Sequence, residues 1–192
     1  MLEKDKAIEI FTQSGALLEG HFRLTSGRHS NQYMQCAQVL QYPHYTEQLC
    51  RHLADKFENE KAEVVIGPAM GGIIVSYEVA RQLKVPGIFC ERQDGEMMLR
   101  RGFEIKPGQK VLVVEDVVTT GGSVDEVIKI VQDAGGVVAG VGVLVDRSNG
   151  KVDFGVRKEA VLTMDIKSWE AQECPLCAEG KIPVVKPGSR SK

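Results

Sequence analysis

The sequence predicts an α/β domain built on a mostly parallel central sheet flanked by helices, and three observations predict it. Between residues 43 and 145, strand-like and helix-like segments alternate at least three times, the order that strand–helix–strand units produce. The strand candidates Val64-Val-Ile66, Val111-Leu-Val-Val114 and Val137–Val145 are near-continuous apolar runs, as expected of strands covered on both faces. Beyond the second run, Val124, Val127, Ile128 and Val131 recur at i, i+3, i+4 and i+7, the period of an amphipathic helix. A chain of 192 residues is long enough for one such domain with a real core. It divides into an N-terminal hood over 1–40, an α/β core over 43–166 and a C-terminal tail over 167–192.

Each element has its own signal. Residues 4–14 set Ile8 and Phe11 among charges and read as a short helix ending near Gly15. Residues 16–40, with Gly20 and Gly27 between short segments, suit a small β hairpin. From Pro43 a helix is expected, because Tyr45, Leu49, Leu53 and Phe57 fall four apart. Val64–Gly67 is a buried strand, followed by the loop Pro68-Ala-Met-Gly-Gly72 and a helix to about Leu83. Val85–Cys90 is a third strand unit, and Glu91–Ile105 is a charged connection without a convincing period. Pro107-Gly108 turns the chain into the strand at Val111, Gly135-Gly136 ends the helix after it, Val137–Val145 is the next strand and Val161–Ile166 the last.

The segment Val111-Leu-Val-Val-Glu-Asp-Val-Val-Thr-Thr-Gly-Gly-Ser-Val124 carries the chemistry. An apolar strand ends in two carboxylates, Glu115 and Asp116, and a turn rich in hydroxyls and glycine then opens a helix. Such a turn aims backbone N–H groups at the positive end of a helix dipole, which suits a phosphate. The carboxylates repel a phosphate but suit hydroxyl groups or a divalent cation beside it. A ligand with those two ends is a ribose 5-phosphate. The segment matches neither the P-loop nor the dinucleotide fingerprint.

Composition narrows the classes further. Hydrophobic residues are 43% and charged residues 26% of the chain, the pattern of a soluble globular protein. A net charge of −2 gives no electrostatic reason to expect nucleic-acid binding. The most apolar run, Gly136–Val145, is about half the length of a membrane span, so no membrane partner is expected. The mixed-charge start Met1-Leu-Glu-Lys-Asp-Lys6 lacks the apolar stretch of a signal peptide. With five cysteines, an odd number, this predicts a reducing, cytoplasmic location.

The Glu115–Ser123 turn resembles the phosphoribosyl pyrophosphate (PRPP) loop of the type I phosphoribosyltransferases, and four further segments narrow the resemblance. His21-Phe-Arg-Leu-Thr-Ser-Gly-Arg-His-Ser30 is similar to the N-terminal segment of the orotate phosphoribosyltransferases, and Gly67-Pro-Ala-Met-Gly-Gly-Ile73 to their pyrophosphate loop. Glu91-Arg92 with the run to Phe103 resembles their flexible catalytic loop in a short, prokaryotic form. Val145-Asp-Arg147 resembles the strand end whose arginine binds the orotate carboxylate. The resemblance implies the type I fold with a small N-terminal β-containing hood. It implies transfer of ribose 5-phosphate from PRPP to orotate, giving orotidine 5′-monophosphate and pyrophosphate, with Mg²⁺ bound mainly by PRPP rather than by protein side chains. It assigns PRPP to Met70, Gly71, Arg92, Glu115, Asp116, Val117, Val118, Thr119, Thr120, Gly121, Gly122 and Ser123, and orotate to Thr25, Tyr33, Thr119 and Arg147. Glu115, Asp116, Arg92, Arg100 and Arg101 become the catalytic candidates. It also implies a homodimer whose catalytic loop reaches the neighbour's site.

The chain departs from the family pattern at Thr25, where a lysine is common, and at Met70-Gly71, where Tyr-Lys is common. These departures concentrate the available cations in Glu91–Phe103, whose Asp94-Gly95 and Gly102 could hinge a lid. Plainer readings stand beside these: Arg147 in an ion pair with Asp146, Gly71 and Gly72 as close packing, and the loop arginines as a solvated face. Two other functions share the fold, a purine phosphoribosyltransferase and a PRPP-sensing regulator. Leu24–Arg28, Gly67-Pro-Ala69 and Arg147 argue against the first, and the retained acidic pair against the second. Cys174-Pro-Leu-Cys177 lacks the second pair or the histidines of a zinc motif, since nothing in the sequence links His44 or His52 to it. It reads first as structural or incidental, with a metal or a disulfide as the alternatives.

Overall fold

The computed structural model describes residues 2–24 and 26–187. In chain order the elements are α1 (Lys4–Gln13), β1 (Leu17–Arg23), β2 (His29–Met34), α2 (Ala37–Leu40), α3 (Pro43–Phe57), β3 (Val64–Pro68), α4 (Gly71–Leu83), β4 (Gly87–Gln93) and β5 (Glu96–Leu99). Then follow β6 (Lys110–Val118), α5 (Gly122–Asp133), β7 (Val137–Asp146), β8 (Lys158–Thr163), β9 (Ser168–Trp169) and α6 (Pro175–Glu179). Six strands form the main sheet in the order β5-β4-β3-β6-β7-β8. All neighbours are parallel except β4 and β5.

The apolar runs behave as their lack of alternation requires. In β6, Val111 and Val113 pack with Val124, Val127, Ile128 and Val131 of α5 on one face. Leu112 and Val114, one residue out of step, pack with Leu49 and Leu53 of α3 and Val75 and Val79 of α4 on the other. A strand alternates its side chains between faces, so a run apolar at every position is what two covered faces demand. The glycines of β7 belong to the same packing. A Cβ added at Gly142 would lie 3.0 Å from Leu53 and 3.2 Å from Phe57, and one at Gly140 would run into the Phe57 ring. Those two positions are empty of side chain so that α3 can approach the sheet.

The structure corrects two expectations. Glu91–Ile105 is not a periodless connection at its start: β4 runs on to Gln93, and Arg92 and Gln93 pair with Met97 and Glu96 of β5. Asp94 and Gly95 both have positive φ, 53° and 90°, the conformation that two-residue hairpin turns need and that Asp-Gly favours. The signal was present in Asp94-Gly95, but the short strands, bearing charges and methionines, hid it. The second concerns the C-terminal tail over 167–192, whose described part contributes to the hood. β9 pairs antiparallel with β2, giving the hood a three-stranded sheet in the order β1-β2-β9. Farther along, Val185 exchanges backbone hydrogen bonds with His21 and Arg23 at 2.8 Å each.

Candidate functional site

Parallel strands bring their carboxyl ends to one edge of the sheet, where ligands of open α/β sheets sit. Here the loops after β3, β6 and β7 meet. The turn after β6 is shaped by Gly121, whose φ of +87° places it in the left-handed region as the residue before α5. A Cβ there would lie 2.8 Å from Val152 and 2.9 Å from Phe154, so only glycine fits on both counts. No side chain caps α5. Its first N–H groups therefore face a small pocket lined by Glu115, Val117, Val118, Thr119, Thr120, Gly121, Gly122 and Ser123, and a helix start of this kind binds anions.

Next to it lies a larger cleft of about 730 Å³, a volume suited to a small-molecule ligand. Its core wall carries Asp116, Val117, Thr119, Thr120 and Arg147, and its hood wall Leu24, Ser26, Tyr33, Met34, Gln35, Cys36 and Ala37. The period of the strand divides the acidic pair between the two spaces: Glu115 lines the phosphate-sized pocket and Asp116 the cleft. The two remain electrostatically linked. Burial first, and then the neighbouring Asp116 charge, push the Glu115 carboxyl up to about 9, and burial raises Asp116 as well. Among the described residues, no cation is among the groups acting on either carboxyl. A carboxyl pair held this way is stabilised by a ligand that brings hydroxyl donors or positive charge.

Arg147 is placed by the end of β7, with its backbone N–H donating to the Val118 carbonyl at 2.8 Å. It is not the ion-pair partner of Asp146. Asp146 accepts from Lys158 Nζ at 2.8 Å and from the Ser148 hydroxyl at 2.6 Å, which leaves the guanidinium at the cleft with its buried Nε unpartnered. The loop after β3 closes another side. A Cβ on Gly71 would run into the Asp116 carboxylate, and one on Gly72 would come within 3.3 Å of Glu115 Oε1. Both glycines thus let the acidic pair approach this loop, and Met70 beside them is 80% exposed. Tyr33 lines the hood wall and donates to Gln35 at 3.1 Å. Thr25 lies outside the described residues.

The three loop arginines line neither space. Arg92 pairs with Glu126 of α5 at 2.9 Å, and Arg100 and Arg101 both pair with Glu91, at 3.2 and 2.9 Å. The hairpin carries them on the outer edge of the sheet. Gln35 and Cys36 were not legible as site residues, because they follow β2 with no motif around them. Burial pushes the Cys36 thiol well up, and the Asp116 charge adds to it. Cys36 is therefore a packing thiol rather than a nucleophile.

A phosphate-sized pocket at a helix start, an acidic pair and an arginine-bearing cleft at one sheet edge define a phosphoribosyltransferase site. In agreement, residues 38–175 match the phosphoribosyl transferase domain family. The chain is 64% identical over 189 residues to the orotate phosphoribosyltransferase of Pelotomaculum thermopropionicum, covering 98% of this chain and 99% of that one. It is 62% identical over 189 residues to that of Desulforamulus reducens, covering 98% of each. Among solved structures, orotate phosphoribosyltransferase from Aeropyrum pernix superimposes with a TM-score of 0.68 at 27% identity, over 81% of this chain and 92% of that one. The chain belongs to the phosphoribosyltransferase family and, within it, to the orotate phosphoribosyltransferases.

Proposed function

We propose that this chain transfers ribose 5-phosphate from PRPP to N1 of orotate, releasing pyrophosphate and forming orotidine 5′-monophosphate in pyrimidine synthesis. The observation that carries this reading is the acidic pair standing between a pocket of helix N–H groups and a cleft that presents Arg147. The turn Thr119–Ser123 and the start of α5 hold the 5-phosphate, with Val117 and Val118 setting the turn. Glu115 and Asp116 accept hydrogen bonds from the ribose hydroxyls. As the bond to pyrophosphate lengthens, positive charge grows on the ribose and favours the ionised form of the pair. Glu115, otherwise held protonated by burial, thereby joins Asp116 as a carboxylate in stabilising it. Arg147 receives the orotate carboxylate, for which its planar fork of donors is suited. Thr119 and Tyr33 border the base, and Met70 and Gly71 lie on the pyrophosphate side.

Mg²⁺ bound to PRPP would supply countercharge to the leaving pyrophosphate. The site suits such a pairing, since among the described residues its carboxylates have no cation of their own acting on them. We further propose a homodimer, in which Arg92, Arg100 and Arg101 act on the neighbour's pyrophosphate. Their position away from the chain's own cleft supports action in trans.

The reading is tested by following loss of orotate absorbance with PRPP, with and without Mg²⁺, beside parallel assays with adenine and hypoxanthine. Turnover of orotate alone, dependent on Mg²⁺, is expected. Turnover of a purine in place of orotate would reject the base assignment.

A further inference from the structure

Far along the chain from the acidic pair, four side chains converge that no sequence motif joins. His21 of β1, His29 at the start of β2, and Cys174 and Cys177 flanking the first turn of α6 bring one ligating atom each within 4.8 Å of one another. His21 Nε2 lies 2.9 Å from His29 Nδ1, 3.5 Å from Cys174 Sγ and 3.6 Å from Cys177 Sγ, and Cys177 Sγ lies 3.2 Å from His29 Nδ1. A tetrahedral ion with ordinary zinc–sulfur and zinc–nitrogen bonds sets its ligands about 3.4 Å apart between nitrogens and about 3.6 Å between sulfur and nitrogen. The four atoms already stand near the corners of that figure.

A second observation comes from the other side of the His21 ring. Its Nδ1 lies 3.0 Å from the Ile182 carbonyl, a pure acceptor, so Nδ1 carries the proton and the Nε2 lone pair points into the cluster. This carbonyl support of the far nitrogen is how metal-bound histidines are oriented. His21, His29 and Cys174 are 3%, 6% and 2% exposed, so the polar atoms gathered there are mostly cut off from water. None of the four lines the cleft or the phosphate pocket. Four protein ligands also leave no open position for substrate, the mark of a structural rather than a catalytic centre.

We propose that His21, His29, Cys174 and Cys177 form a tetrahedral site for one structural zinc ion, which fastens the C-terminal segment to the hood. Two sulfurs and two imidazole nitrogens in a tetrahedron favour zinc over magnesium or calcium, which take oxygen ligands. The two thiols give up their protons to solvent as the ion binds. The staple closes a loop of some 145 residues in sequence between its histidine and cysteine halves, counted from His29 to Cys174. Among the hood residues next to its histidines in sequence, Leu24, Ser26, Tyr33 and Met34 line one wall of the cleft.

The test uses the full chain, untagged and purified without chelator, with metal content measured by plasma mass spectrometry. About one zinc per chain is expected, with a Cys174→Ser, Cys177→Ser double variant falling to background. Cobalt(II) added to the metal-stripped protein should give the visible and near-ultraviolet bands of tetrahedral thiolate coordination, and a strong chelator should lower the Tm of the wild type but not of the double variant. Should that variant fail to fold, the single change at exposed Cys177, Cys177→Ser, and the wild-type cobalt spectrum still decide. Absence of zinc both as purified and after incubation with zinc, unchanged binding in Cys177→Ser, or iron in place of zinc would each overturn the proposal.

Discussion

Two side chains at the site, Asp116 and Arg147, owe their placement to a neighbouring residue. Gly71 leaves room for the Asp116 carboxylate, and Lys158 occupies Asp146 so that Arg147 faces the cleft. Asp116→Asn keeps the size of the side chain and removes its charge, so the fold should persist. Turnover should fall by about 30- to 1000-fold, corresponding to about 2–4 kcal/mol of lost electrostatic stabilisation, and steady-state kinetics on the folded variant checks it. Arg147→Ala should raise the orotate KM sharply while PRPP affinity, measured alone by calorimetry, stays near wild type. Lost PRPP affinity with intact orotate affinity would place Arg147 at the wrong end of the site. The role of Lys158 had no trace in the sequence, because it depends on β8 lying beside β7, a pairing that no local pattern encodes.

At the scale of elements, what could be read in advance was what repeats locally. α3 and α5 were legible from their apolar periods and β3, β6 and β7 from continuous apolar runs, both of which reflect burial against neighbouring elements. The β4–β5 hairpin and the joining of β9 to the hood were not, since the first has short, polar strands and the second is a pairing between residues about 140 positions apart. Cys174 and Cys177 stood out in the sequence with a metal among their alternatives, but their meeting with His21 and His29 did not, because the two halves lie at opposite ends of the sequence. The hairpin also frames a prediction. Its arginines are bound to Glu91 and Glu126, exposed pairs that contribute little to stability and can be exchanged for pyrophosphate. Mixing Arg100→Ala, Arg101→Ala subunits with Asp116→Asn subunits should restore activity, because each mixed dimer holds one complete site. No recovery after mixing, with exchange verified by native mass spectrometry, would remove the action in trans.

For the whole molecule, the raised carboxyl of Glu115 links stability to pH. In an unfolded chain a glutamate titrates at about 4.3, whereas in the fold burial and Asp116 hold Glu115 protonated up to about 9. The folded state therefore binds a proton that the unfolded state has released, and this contribution is full below the unfolded value and lost as pH rises toward about 9. Melting temperature should decline between roughly pH 5 and 9, and Glu115→Gln should flatten the decline, as differential scanning fluorimetry at constant ionic strength can measure. The hood has a consequence of a different kind. Its first two strands leave the ribosome early, but their third partner, the Val185 contacts and the cysteines arrive only after the entire α/β core. During synthesis β2 therefore keeps one edge unpaired until the segment of β9 has emerged. The sheet whose first two strands are made earliest is thus the later of the two to gain its full set of strands.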